Sequence, residues 1–280
     1  MKKHLTLLSF LIMCLLVTYP CYAKKVKLAY VEWSCATAST NVLKAVLQER
    51  LGYKVDALAV SAAAMWQATA SGDVDGFVTA WMPTTHKHYF DKVKDNIEIA
   101  GTIFSGAKIG LVVPKYVTIK SIAEINANAS KFNGKIIGID PGAGIMSSTE
   151  KAIVEYKLDK VKLMDGSGAI MTASLNDAIK KNKWVVVTGW SPHWKFARWD
   201  LKYLDDPKGV FGKSEMIQSV VRKGLEKDKP EVYKVIKNFK WPENHLQMVM
   251  GWNTQDGADV YENAKRYIKE NKAVIDSWLK

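Results

Sequence analysis

Short runs rich in β-branched residues alternate with helical patterns after residue 23, and this alternation restricts the fold more than any other feature. Strands are predicted at Val26–Val31, Lys54–Val60, Val74–Thr79, Ile109–Pro114, Lys135–Ile139, Val161–Met164 and Trp184–Thr188. Helices are predicted between them at Ala38–Leu51, Ser61–Ser71, Thr84–Val93, Gly144–Tyr156 and Ala169–Lys181. Strands that alternate with helices form mostly parallel sheets flanked by helices, so the sequence predicts the α/β class.

The alternation occurs in two sets, which predict two sheets and therefore two lobes with a ligand cleft between them. The segments Val112–Lys115 and Asp205–Gly209 are the expected passages from one lobe to the other. The predicted organisation is a first part of lobe I at 24–112, lobe II at 113–209, and a second part of lobe I at 210–280. After about Gly212 the pattern is almost wholly helical, and it ends in one long helical pattern from Asp259 to Leu279.

Residues 1–23 are predicted to be a cleavable signal peptide that directs the chain to the periplasm. Two lysines precede an apolar run from Leu5 to Thr18, and a small residue, Ala23, stands at the expected cleavage point. The run is short for a bilayer span. A retained membrane anchor and a lipoprotein attached through Cys21 are the alternatives.

Charge and cysteine content exclude several classes of function. The formal net charge is +12, yet the lysines are scattered over many elements, so we expect a solvated surface and no nucleic-acid partner. Of the 3 cysteines, Cys14 and Cys21 fall in the predicted signal peptide, so Cys35 has no partner for an internal disulfide. No spacing of His, Cys, Asp and Glu resembles a metal site, and no cofactor is expected.

Three tryptophans, Trp33, Trp81 and Trp190, follow or end predicted strands in both lobes. Ligands in open α/β sheets bind outside the carboxyl ends of the strands, where these side chains can project into a cleft. Tryptophan faces attract a quaternary ammonium, at about 2 kcal/mol for each desolvated contact. One tryptophan in such a place is as readily a core residue, but three at the same topological position favour an aromatic cage.

A Gly-rich turn from Asp140 to Ser148 follows another predicted strand and opens a helix. The first N–H groups of a helix have no intrahelical partner and attract an anion such as a carboxylate. A plain loop is the more common outcome of such a turn, and the helix start at 36–40 is a rival anion site. His86 follows Trp81 closely enough to reach the same cleft and donate to a carboxylate. A molecule with a quaternary ammonium and a carboxylate is a betaine, so the residues predict a betaine site.

These segments together resemble the glycine betaine and proline betaine substrate-binding proteins of ABC importers, which have the two-lobed type II periplasmic-binding fold. The resemblance is carried by the segments around Trp33, Ala80–His86, Lys108–Pro114, Gly138–Met146, Thr188–Trp194 and Leu201–Lys208. The implied ligand-binding residues are Trp33, Trp81, Trp190, His86, Gly144 and Ile145. The three indoles would surround the ammonium methyls, while the imidazole and two backbone N–H groups would hold the carboxylate.

The resemblance also implies how such a protein works. Its lobes close on the ligand, and the closed monomer docks onto the permease of an importer whose ATPase subunits lie at the inner membrane.

Three other functions stay open from the residues alone. Cys35 beside a helix start, with His86 as base, would suit a nucleophilic enzyme, although no third orienting group is evident. A choline- or carnitine-binding protein would keep the cage, and choline would need an acidic partner such as Glu32 or Asp140. A betaine sensor module shares the fold. The prediction is a binding protein rather than an enzyme.

Overall fold

The computed structural model describes residues 24–280, so the predicted signal peptide at 1–23 lies outside the described residues. The strands are β1 (Lys25–Tyr30), β2 (Lys54–Ala59), β3 (Gly76–Met82), β4 (Ile97–Pro114), β5 (Lys135–Ile137), β6 (Lys162–Met164), β7 (Val187–Ser191), β8 (Leu201–Tyr203) and β9 (Glu215–Arg222). The helices are α1 (Ser34–Leu51), α2 (Ala62–Ser71), α3 (Lys87–Val93), α4 (Gly144–Glu155), α5 (Gly168–Lys180), α6 (Lys195–Arg198), α7 (Leu225–Asp228), α8 (Pro230–Asn238), α9 (His245–Trp252), α10 (Val260–Glu270) and α11 (Lys272–Leu279). Short 3-10 turns lie at Lys94–Asn96, Ile122–Glu124 and Asn126–Phe132.

The strands are hydrogen-bonded in the order β2-β1-β3-β9-β4-β7-β5-β6, with β8 beside β4. Strand β4 connects the two halves of this path, because Ile97–Ala107 pairs with β9, Lys108–Val112 with β7, and Val112–Pro114 with β8. The first lobe is therefore the part built on β1, β2, β3 and β9, and the second lobe is the part built on β5, β6, β7 and β8. The predicted α/β class is confirmed.

Parallel pairing is confined to the outer strands of each lobe. β1 runs parallel to β2 and β3, and β5 runs parallel to β6 and β7. The centre is antiparallel, since β9 pairs in that sense with both β3 and β4. These antiparallel pairs lie where β4 leaves the first lobe and β9 re-enters it in the opposite direction.

The prediction of an almost wholly helical tail is wrong over Glu215–Arg222, which forms β9. Its Ile217, Val220 and Val221 are almost fully buried between the neighbouring strands β3 and β4. β-Branched residues pack well on such a surface, and this was the local signal for a strand. The predicted long helix after Asp259 also divides in two, because Asn271 has the non-helical angles φ −119° and ψ 41°.

Helix α1 brings its first turn to the end of β1. Trp33 is its N-cap residue in an extended conformation, and the helix ends at Gly52, whose φ of 69° favours glycine. Most of α1 is buried, and it packs against α9 and α10 of the first lobe. Trp33 is thus fixed between a central strand and a core helix.

No helix within residues 24–280 combines the length and the apolar character that crossing a bilayer would require.

A buried carboxylate fixes the turn that follows β3. Glu215, which is only 2% exposed, accepts hydrogen bonds from the backbone N–H groups of Thr84 (2.6 Å) and Thr85 (2.8 Å). It also accepts one from the Thr85 hydroxyl. Because Glu215 begins β9, these bonds connect the re-entry into the first lobe to the turn that joins Trp81 to His86.

Replacing Glu215 with Ala should lower the free energy of unfolding by about 3 kcal/mol, because buried donors lose a charged acceptor. The matched control is Glu243→Ala, which removes an exposed glutamate without a hydrogen-bond partner in the described part of the chain. That change should stay within about 0.5 kcal/mol of the parent protein. Urea unfolding measures both, and equal losses in the two variants would contradict the role of Glu215.

Candidate ligand-binding site

One cavity lies where the two lobes face each other. From the first lobe it is lined by Trp33, Cys35, Trp81, Thr85 and His86. From the second lobe and the adjoining half of β4 it is lined by Ile109, Ile139, Ala143, Gly144, Ile145 and Trp190. All six residues that the sequence analysis named for ligand binding therefore border the same space.

The three tryptophans reach this cavity from three different elements. Trp33 caps α1, Trp81 is the penultimate residue of β3, and Trp190 is the penultimate residue of β7. Their exposed fractions are 6%, 3% and 4%, so the lobes shield all three indoles from solvent. A cation placed among them would meet aromatic surface in a medium that screens charge weakly.

Trp33 also forms a hydrogen bond between the lobes. Its indole Nε1 donates to the Asp140 carboxylate at 2.9 Å. This bond orients the indole plane and engages the acidic side chain at the start of the Gly-rich turn. The sequence analysis named Asp140 only as a possible partner for choline, because nothing in the chain order places it opposite Trp33.

The His86 imidazole is held in one orientation by the turn after β3. The Trp81 N–H donates to Nδ1 of His86 at 3.2 Å, and the His86 N–H donates to the Trp81 carbonyl at 2.9 Å. Burial, and to a smaller extent the charge of His88, lowers the pKa of His86 to about 3. The ring is therefore neutral near pH 7, with Nδ1 as acceptor and the proton on Nε2. Nε2 is thus a hydrogen-bond donor available to an anion.

The first turn of α4 offers two more donors. Ala143 is the N-cap residue and supplies no side-chain cap. The N–H groups of Gly144 and Ile145 have no hydrogen-bond partner among the described residues. These groups point from the positive end of the helix dipole and suit a carboxylate.

Gly144 also lies in close contact with the first lobe. A Cβ atom at this position would lie 2.2 Å from the Thr85 carbonyl oxygen, which is backbone of the first lobe and cannot move aside. Only glycine therefore permits this approach. The Thr85 methyl carbon would also lie only 2.6 Å from such a Cβ atom, so the helix start and the His86 turn come together because Gly144 has no side chain.

Two further hydrogen bonds cross the cleft. The Tyr89 hydroxyl donates to the Gly142 carbonyl at 2.6 Å, and the Trp194 indole Nε1 donates to the Ser34 hydroxyl at 3.1 Å. Sequence reasoning missed both, because they depend on which loops meet across the cleft. With the Trp33 bond, they give three hydrogen bonds between the lobes among the described residues.

The surroundings of Cys35 oppose nucleophilic chemistry. Its side chain is 1% exposed, and burial raises the pKa of the thiol to about 11. A neutral thiol is a poor nucleophile. His86 is a weak base at this site, since its Nδ1 is already engaged.

Comparison with known proteins shows the family of the chain. Residues 24–270 match the family described as the substrate binding domain of ABC-type glycine betaine transport systems. A glycine betaine/carnitine transport binding protein of Listeria monocytogenes is 43% identical over 182 residues, which make up 64% of this chain and 58% of that protein. The match thus spans less than two thirds of that relative's length.

Two solved structures are similar over nearly the whole described chain. The glycine/betaine/L-proline-binding protein ProX of Borrelia burgdorferi is 40% identical, with a TM-score of 0.89 over 92% of this chain and 97% of that one. Lactococcal OpuAC, in a closed conformation complexed with glycine betaine, is 43% identical, with a TM-score of 0.86 over 92% of this chain and 100% of that one.

The predicted type II periplasmic-binding fold and the predicted family are both confirmed by these matches. Proteins of this kind bind and deliver a substrate, so the chain is a binding protein and not an enzyme. It belongs to the family of substrate-binding domains of ABC-type glycine betaine transport systems.

Proposed function

We propose that this protein is the extracytoplasmic substrate-binding component of an ABC importer for glycine betaine or proline betaine. One observation carries the proposal. Three indoles, two unpaired helix-start N–H groups and a neutral imidazole from two lobes border a single cavity. This set offers aromatic faces to a methylated cation and hydrogen-bond donors to a carboxylate, and a betaine has both groups.

The cation is held by Trp33, Trp81 and Trp190. A desolvated cation–π contact contributes about 2 kcal/mol, so three contacts contribute on the order of 6 kcal/mol. Among the described residues that line the cavity, none carries a carboxylate. Of the two acidic candidates, Glu32 is exposed to solvent, and Asp140 already accepts the Trp33 indole N–H. A ligand that brings its own negative charge, such as a betaine, therefore fits better than choline.

The carboxylate is held by the N–H groups of Gly144 and Ile145 and by Nε2 of His86. Hydrogen bonds to a charged group contribute about 1.5–3 kcal/mol each. Together with the cage they outweigh the cost of immobilising a small ligand, and micromolar affinity, about −8 kcal/mol, is within reach.

Ligand capture and lobe closure are one event in this proposal. The cage takes Trp33 and Trp81 from the first lobe and Trp190 from the second, so a bound cation attracts both lobes. The bonds of Trp33 to Asp140 and of Tyr89 to Gly142 then join the lobes directly. The closed protein docks as a monomer onto the permease, whose ATPase partner drives uptake. The signal peptide at 1–23 directs export of the chain to the periplasm, where it meets the permease.

Replacing Trp33, Trp81 or Trp190 with Ala should weaken glycine betaine binding at least about tenfold each, because each change removes one aromatic face from the cation. Calorimetric titration of the purified protein measures this. The matched control is Trp184→Ala, since Trp184 contacts Phe132 away from the cavity. That variant should keep the parent affinity within about threefold. If an alanine variant of Trp33, Trp81 or Trp190 binds with the affinity of the control, that tryptophan does not contact the ligand cation.

Gly144→Ala should weaken glycine betaine binding at least about 100-fold, because the new methyl group meets the Thr85 carbonyl before the lobes can close. The thermal midpoint of the free protein should not fall, since alanine favours the helix. Small-angle scattering should show ligand-induced compaction in the parent protein and none in the variant.

Gly168→Ala is the matched control, because Gly168 also begins a helix of the second lobe and has open space around it. If Gly144→Ala compacts and binds glycine betaine as this control does, the contact between residue 144 and the Thr85 carbonyl does not limit closure.

A further inference from the structure

Lys195 is a fully buried lysine without a partner. Its side chain is 0% exposed, and its Nζ has no hydrogen-bond partner within the described residues. No carboxylate forms an ion pair with it in the described part of the chain. An isolated buried ammonium is costly, so a lysine in this place calls for a physical reason.

The lysine lies against one of the cage tryptophans. Its Nζ is 4.3 Å from the centroid of the Trp190 ring and 5.4 Å from that of Phe196. Trp190 borders the cavity, and Lys195 does not. The same indole therefore contacts the lysine amine and faces the space where the ligand cation is proposed to sit.

The titratable groups around this amine are uncharged near neutral pH. On α1, burial raises the pKa of the Cys35 thiol to about 11. In the turn before α6, burial and then the charge of Lys195 hold the pKa of His193 well below its usual value. The Nδ1 atom of His193 accepts a hydrogen bond from the backbone N–H of Lys195 at 3.1 Å.

Beyond Phe196 the next titratable groups lie on β8 and β4. Tyr203 stacks on Phe196 at 5.2 Å, and burial raises the pKa of its hydroxyl. Lys108 lies over the Tyr203 ring at 4.6 Å and is exposed to solvent. None of these groups supplies a negative charge that would retain a proton on Lys195 near pH 7.

We propose that Lys195 sets the pH dependence of betaine affinity, because its protonated ammonium on Trp190 repels the ligand cation and its neutral amine does not. This inference rests on the proposed function, in which Trp190 faces the ammonium methyls. It assigns a residue outside the cavity to the tuning of affinity.

The sign of the effect follows from linkage. Burial lowers the pKa of Lys195 to about 7. A bound cation disfavours the protonated amine further, so binding releases a proton and strengthens as pH rises through this range. If the ligand lowers the pKa of Lys195 by one unit, affinity at pH 6 should be about fivefold weaker than at pH 8. His86, with a pKa of about 3, does not titrate in this window.

The test is calorimetric titration of the protein with glycine betaine at pH 6, 7, 8 and 9, in two buffers with different ionisation enthalpies. The parent protein should bind about fivefold more weakly at pH 6 than at pH 8 and should release protons near pH 7. Lys195→Met should bind tightly at every pH without proton release. Lys131→Met is the matched control, since Lys131 lies over the Trp184 ring at 4.4 Å but is exposed and remote from the cavity. That variant should behave like the parent.

The outcomes separate this inference from the proposed function. Betaine binding without proton release by the parent protein, or an unchanged pH profile in Lys195→Met, overturns the role of Lys195 and leaves betaine binding intact. If folded parent and variant both fail to bind betaine at every pH, the proposed function fails, and this inference fails with it. If Lys195→Met does not fold, the parent protein alone gives the test. Proton release on betaine binding then supports the role of Lys195, and its absence contradicts that role.

Discussion

The close approach of the two lobes is the constraint on which the candidate site depends. The backbone at Gly144 contacts the backbone at Thr85, and no other residue type permits this distance. In that arrangement Trp33 and Trp81 from one lobe share a cavity with Trp190 from the other. The hydrogen bond from Trp33 to Asp140 then fixes both an indole plane and the closed position. In the proposed function, recognition and closure therefore depend on the same contacts.

Much of the fold was open to prediction because strands and helices differ in their periodicity. The predicted strand and helix starts agree closely for β2, β5 and α4. The prediction failed at β9, a central strand that follows a passage between lobes. Its neighbours β3 and β4 come from distant parts of the chain, so its pairing depends on long-range contacts. The prediction of a helical tail gave no weight to the β-branched residues of this strand.

The candidate site likewise combines features that local sequence predicts with features that depend on long-range contacts. Strand-end tryptophans and a Gly-rich helix start are local signals, and the six ligand-binding residues that the family resemblance implied border one cavity. The partners that orient them are not local. Asp140 lies far along the chain from Trp33, and Glu215 lies far from the turn that it fixes. The neutral His86 and the buried Lys195 depend on how much protein surrounds them, which residue type alone does not reveal.

Attraction between indole faces and a positive charge is the central claim, and one pair of ligands tests it most directly. Glycine betaine and 3,3-dimethylbutanoate have the same shape and carboxylate, but the second has carbon in place of the charged nitrogen. Competition calorimetry at pH 8 gives both affinities for the parent protein. The account predicts that glycine betaine binds at least about 100-fold more tightly, since each of three desolvated cation–π contacts contributes about 2 kcal/mol. Equal affinities would contradict it, because the cavity would then recognise only the shape of the methyl groups and the carboxylate.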